Sequence, residues 1–132
     1  MIAAGLGCRR ACAPEDVVAA ITAALAGAGR GIDEVSVLYA PAARMDAAAL
    51  RAAAAQLGKR LEFVALERLA QFSEGALTRS ERVLSALGIP SAAETAALAG
   101  ACAQRPGSSA RLLGPRSSAG GATCALAMLE EM

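Results

Sequence analysis

The chain has 132 residues, a net charge of +1 and an aromatic content of only 2%. That is one domain's worth of sequence, with no field to draw nucleic acid toward it and no rings on which bases would stack. Hydrophobic residues make up 55% of it, much of that alanine, yet no apolar run approaches the roughly 20 residues that cross a bilayer, and no basic segment precedes the apolar start as in a signal peptide. These features predict a single cytoplasmic domain, residues 1–132, with no nucleic-acid or membrane partner.

Met1-Ile2-Ala3-Ala4 reads as the start of a strand that runs into Gly5-Leu6-Gly7-Cys8-Arg9-Arg10. Pro14 opens a helix in which Val17, Val18, Ile21, Leu25 and Ala28 recur at helical spacing. Glu15 and Asp16 sit in its first turn, where the dipole favours them, and Gly27, Gly29 and Gly31 end it. Residues 34–40 read as a buried strand closed by Pro41. A second helix runs from about Asp46 to Leu57 and stops at Gly58. Leu61-Glu62-Phe63-Val64-Ala65 is a third strand, followed by a helical turn at Glu67–Ala70 and a loop from Gln71 to Thr78.

A helix over Arg79–Leu87 carries Val83, Leu84 and Leu87 inward. After the break at Gly88-Ile89-Pro90, Ser91-Ala92-Ala93-Glu94 predicts a capping box that starts a helix running to about Ala103. A short strand near Ala110–Leu113, the loop Gly114–Gly121 and a last strand, Ala122–Met128, complete the chain. Strands alternating with helices predict an α/β fold with a largely parallel sheet covered on both faces, made mixed by the closing hairpin.

The chemistry concentrates where the first strand ends. Gly5 and Gly7 remove side chains where a ligand would approach the backbone, and Arg9 and Arg10 offer planar forks that match carboxylates or phosphates. As residues alone, the arginine pair suits either a ligand contact or a solvated loop edge salt-bridged to Glu15 or Asp16. Gly5-x-Gly7 is not a dinucleotide fingerprint, because position 10 is arginine and the helix begins too late.

In open α/β sheets the C-terminal ends of the strands collect binding residues. Arg9 and Arg10 follow the first strand, Arg44 the second, and Arg79-Ser80-Glu81 the loop after the third. Ser80-Glu81 first of all suits a helix N-cap. The Gly-rich loop around Arg116 either closes on the same ligand or forms only a hairpin turn. With no histidine in the chain, acid–base chemistry would fall to groups such as Glu15, Asp46, Glu67 or Glu81.

The cysteines, Cys8, Cys12, Cys102 and Cys124, form no C-x-x-C pair and predict no metal site. Cys102 and Cys124 read as small buried hydrophobes, and Cys12 as a space-filler in its loop. Cys8, beside two arginines, reads as structural, since no histidine exists to serve as its base.

Gly5-Leu6-Gly7-Cys8-Arg9-Arg10 resembles the start of the cobalamin-biosynthesis CobE/CbiG C-terminal domain family. The likeness continues through Arg44-Met45-Asp46, where that family often has lysine for the arginine, and Leu57-Gly58 with Leu61-Glu62-Phe63. It resumes at Ser80-Glu81-Arg82-Val83, then Gly88-Ile89-Pro90-Ser91-Ala92-Ala93-Glu94, and ends in Thr123–Ala127.

The resemblance implies a three-layer α/β/α sandwich with a mixed, mostly parallel sheet of about five strands, and a role in building the corrin ring of vitamin B12. CbiG-type proteins open the lactone of a cobalt-precorrin and release acetaldehyde; this chain is similar to the free-standing CobE-like form. The implied ligand is a precorrin-type tetrapyrrole, held by Gly5, Gly7, Cys8, Arg9, Arg10, Arg44, Ser80, Glu81 and Arg116, with no cofactor or metal. Two other roles fit the same family: an accessory module for another corrin-pathway enzyme, and a small precorrin lactone hydrolase.

Overall fold

The structure is a computed structural model that describes residues 1–130. Strand β1 (Ile2–Cys8) is buried along its whole length and forms the centre of the sheet. It pairs in parallel with β2 (Val35–Pro41), which pairs in parallel with β3 (Arg60–Val64). On its other side β1 pairs antiparallel with β6 (Ala122–Leu129), which carries β4 (Ala110–Leu112) at the edge and β5 (Ser117–Ala119) beside it. The order is β3-β2-β1-β6-β4, with β5 joined to β6 alone.

The open α/β class expected from the sequence is what forms, with six strands. Parallel pairing is confined to β1, β2 and β3. Helix-linked strands give that half, whereas β6 enters from a hairpin and so runs against β1. Ser117-Ser118-Ala119 looked like loop because the run is short and polar. It forms a strand because the turn Gly120-Gly121 folds it back onto β6, with Ala119 opposite Ala122. Gly120 has φ 56°, the left-handed geometry that two-residue hairpin turns require.

Alternation along the strands separates two cores. Ile2, Ala4, Leu6 and Cys8 of β1, with Cys124 and Leu126 of β6, meet helices α1 (Pro14–Ala28) and α2 (Ala48–Leu57). Ala3 of β1, Val37 and Tyr39 of β2, and Ala125 and Ala127 of β6 face the other way. They meet α3 (Leu66–Ala70), the loop residue Ile89 and above all α5 (Ala92–Gln104). Helix α4 (Glu81–Leu87) packs at that layer's margin through Val83 and Leu87.

The helix boundaries follow from local chemistry. The carboxylate of Asp16 accepts from the Ala13 N–H at 3.0 Å at the start of α1, and Gly29 and Gly58 end α1 and α2. Ser80 Oγ accepts from the Val83 N–H and so caps α4.

Helix α5 is buried from Ala92 to Cys102 on every side, which only small side chains allow. At Gly5 the helix lies directly on β1: a Cβ there would overlap the Ala93 carbonyl oxygen and the Ala97 backbone nitrogen. Gly5 therefore serves backbone-to-backbone packing and opens no space for a ligand. This corrects the expectation that placed it in the binding site. Gly100 plays the equivalent part against the Tyr39 ring.

Gly5→Ala is expected to destabilise the fold by about 3 kcal/mol or more, because backbone cannot yield as a side-chain tip does. Gly27 sits in helix α1 with nothing within 4 Å of its would-be Cβ, so Gly27→Ala is expected to stabilise by up to about 1 kcal/mol. Urea unfolding of both variants checks the pair.

Burial also sets an alkaline limit. Cys124 has no solvent exposure, and burial pushes its thiol up to about 12. The unfolded chain releases this proton near the ordinary thiol value of 9.0, so between there and the folded value the unfolded state binds fewer protons. Stability from this group is thus intact below about pH 9 and falls as pH rises toward about 12. Burial raises Tyr39 and Cys102 as well, adding to the same fall. Cys124→Ala is expected to reduce the alkaline slope of stability without abolishing it, as read by denaturation at stepped pH.

Candidate functional site

A cleft of about 200 Å³ opens where β1 and β2 end and β6 begins. Gly7 and Cys8 of β1, Pro41 of β2 and Thr123 of β6 form its floor, and Val83, Ala86 and Leu87 of α4 give it an apolar wall. It lies at the C-terminal ends of the parallel strands, where such sheets gather ligands.

Four arginines from four separate segments line it: Arg9, Arg44, Arg82 and Arg116. Arg9 follows β1, and its N–H donates to the Gly121 carbonyl at 2.8 Å, tying its loop to the β5–β6 turn. Arg44 closes the 3-10 turn Ala42–Arg44 after β2. Arg82 stands in the first turn of α4, whose start is fixed by the Ser80 cap and by the Ser80 N–H donating to Pro90 O at 2.8 Å. Arg116 projects from the loop between β4 and β5, where its own N–H donates to Glu94 Oε2 at 3.0 Å. Arg44 and Arg116 are half-buried, Arg9 and Arg82 exposed.

Among the described residues no carboxylate lines the cleft. The ion pairs among the described residues are Arg30–Glu34, Arg60–Glu62 and Arg79–Glu81, all outside it. The lining is therefore rich in arginine and holds none of these ion pairs, and planar forks suit carboxylates; the Asp16 carboxylate lies outside it, against Gly120. The start of α5 adds to it: Ala92 lines the cleft, so the positive end of that helix dipole faces the same space.

Of the residues expected at the site, the fold brings together Gly7, Cys8, Arg9, Arg44, Ser80 and Arg116. It leaves out Gly5, buried under α5, and Arg10, exposed on the same loop as Arg9 but outside the lining. Glu81 points away and pairs with Arg79 at 3.0 Å. None of Glu15, Asp46 and Glu67 lines the cleft either.

Arg82 was missed. The helical period already placed it with Val83, Ala86 and Leu87 on one side of α4, which puts Glu81 on another. The local sequence makes Glu94 half of a capping box. Ser91 Oγ does accept from the Glu94 N–H at 3.2 Å, but the Glu94 carboxylate turns away to hold the loops beside the cleft.

Cys12 does not merely fill space: it is disulfide-bonded to Cys8. The bridge clips the ends of the short loop that carries Arg9 and Arg10. Cys102 and Cys124 are free and buried, as expected of small core hydrophobes.

Fold and cleft define an open α/β domain with an arginine-lined, partly apolar cleft at the end of its central strand. The family model described as cobalamin synthesis G C-terminus matches residues 2–127, and the chain belongs to that family of cobalamin biosynthesis proteins. Among solved structures, CobE, a protein from the cobalamin (vitamin B12) biosynthetic pathway, is 34% identical with a TM-score of 0.91, over 99% of this chain and 93% of CobE. The cobalamin biosynthesis protein chiG from Agrobacterium tumefaciens is 36% identical with a TM-score of 0.72, over 99% of this chain and 100% of that one.

A putative cobalamin biosynthesis protein G homolog from Sulfolobus solfataricus shares the fold, with a TM-score of 0.68 at 18% identity over 98% of this chain and 37% of that one. No curated protein matches the chain.

The bridge restricts the unfolded chain, and a loop this short is worth about 2 kcal/mol on the chain-entropy account. Cys12→Ser is expected to lower stability by about that amount. A thiol reductant added to the native protein should cause the same loss, both read by urea unfolding.

Proposed function

We propose that the cleft seats the carboxylate arms of a precorrin-type tetrapyrrole, binding it for a step of corrin ring synthesis. One observation carries the reading: four arginines from four segments line one cleft, with no acid among the described residues of its lining. Precorrins are polycarboxylates whose arms radiate from a flat ring, so several arms meet several forks at once. Gly7 makes room for the Thr123 hydroxyl beside it, and the apolar wall of Val83, Ala86 and Leu87 suits the edge of the macrocycle.

Size decides how the ligand lies. At about 200 Å³ the cleft falls below the roughly 300–1,000 Å³ of pockets that engulf a drug-sized ligand. A tetrapyrrole therefore rests across the mouth with one edge inserted, its far side open to solvent or to a partner enzyme of the pathway.

The lining favours binding over lactone hydrolysis by the chain's own groups. Its described residues offer the hydroxyls of Ser80, Ser118 and Thr123 but no histidine, lysine, tyrosine or carboxylate to take a proton.

Titration with uroporphyrin, a stable tetrapyrrole bearing acetate and propionate arms, tests the seat through the shift of its absorption band. Arg44→Ala and Arg116→Ala are each expected to weaken binding about tenfold or more, since both lose charge-assisted hydrogen bonds at half-buried positions. Arg9→Ala and Arg82→Ala are expected to cost less, Arg10→Ala nothing, and added salt should weaken the wild type. Equal affinity across all five variants would dismiss the seat in favour of an accessory module that binds no tetrapyrrole.

A further inference from the structure

We infer that Glu94 is the positioning residue of the arginine cleft: one buried carboxylate fixes the walls that carry Arg82 and Arg116 and sets them as a unit. The inference rests on the reading of the cleft as the ligand seat.

Glu94 has no solvent exposure and stands in the first turn of α5, where it does not bond back to its own helix start. Its Oε1 accepts from the Leu77 N–H at 3.0 Å, the Thr78 N–H at 2.9 Å and the Thr78 hydroxyl at 3.0 Å. Its Oε2 accepts from the Arg116 N–H at 3.0 Å. The first oxygen thus pins the segment leading into Ser80 and α4, and the second pins the hairpin loop across the cleft. Those segments belong to different parts of the chain and meet through this side chain.

The chemistry selects a carboxylate. All four partners are donors, and a carboxylate is acceptor-only on both oxygens. Glutamine would keep one acceptor and turn an NH₂ toward an N–H on the other side. A buried carboxylate is costly without such donors. These donors bring no cationic side chain to Glu94, so the Arg116 guanidinium stays free for the cleft while its backbone is held.

Glu94→Gln separates the two walls. Its single oxygen is expected to stay with the three donors of Leu77 and Thr78, leaving the Arg116 N–H facing an amide nitrogen. Hydrogen exchange at the Arg116 amide should then accelerate about tenfold, with a smaller rise at Leu77 and Thr78 through the shared side chain. Uroporphyrin affinity should fall about tenfold, and adding Arg116→Ala should cost less than about a further twofold, while adding Arg9→Ala keeps its full effect. Unchanged exchange at Arg116, or full additivity of Glu94→Gln with Arg116→Ala, would overturn the inference.

Should Glu94→Gln not fold, Thr78→Val removes one donor only. It is expected to speed exchange at Arg116, across the cleft, as well as at Thr78, and exchange confined to Thr78 would overturn the coupling. If exchange behaves as stated but neither Glu94→Gln nor Arg116→Ala alters uroporphyrin affinity, the tether stands and the ligand seat, with the role built on it, falls.

Discussion

Helix α5 rests on β1 with no side chain between them at Gly5, and the rest of the molecule is arranged around that contact. A helix buried on every side needs small residues throughout, and α5 supplies alanine, glycine and cysteine at most positions. Among the described residues no single helix is long and apolar enough to cross a membrane; the apolar run of α5 is a core helix. Because the contact fixes α5 both along and across the strand, it also fixes where α5 begins. That start lies at the end of β1, which brings Glu94 beneath the cleft and the helix dipole to its edge.

The site inherits its character from this placement. A carboxylate in the first turn of α5 would ordinarily cap its own helix, but here it lies between two loops and meets their donors instead. The acid thereby meets loop donors, and no acid remains among the described lining residues to pair with the arginines. A cationic cleft with an apolar wall results, shallow enough to hold an edge of a large anion and leave the remainder exposed. For a family of cobalamin biosynthesis, whose proposed ligand is a ring fringed with acids, that shape supports handling an intermediate more than enclosing it.

Much of this was legible in the residues. Helical spacing locates α1 and α2, a capping box locates α5, and the rule that strand ends collect binding groups points to Arg9, Arg10 and Arg44 and to the segment holding Ser80, leaving the Arg116 loop open between ligand contact and hairpin turn. What escaped was non-local. Gly5 looks like a ligand-approach glycine until α5, far along the chain, is laid against it. Arg10 and Glu81 are chemically as suitable as Arg9 and Arg82, and only the loop path and the helix phase tell them apart. The insertion of β6 beside β1 and the bridge between Cys8 and Cys12 depend on where the chain folds back. Glu94 carries a familiar local motif, and the tertiary donors that outcompete it lie in two distant loops.

The central claim is that these four guanidinium groups together receive a many-acid macrocycle. Following the arginine Nε–Hε resonances during a uroporphyrin titration tests it most directly. The account predicts the largest shifts at Arg44 and Arg116, then Arg9 and Arg82, with Arg30, Arg60 and Arg68 silent. Shifts spread evenly over all arginines, or centred on Arg105 near the opposite end of the sheet, would contradict it.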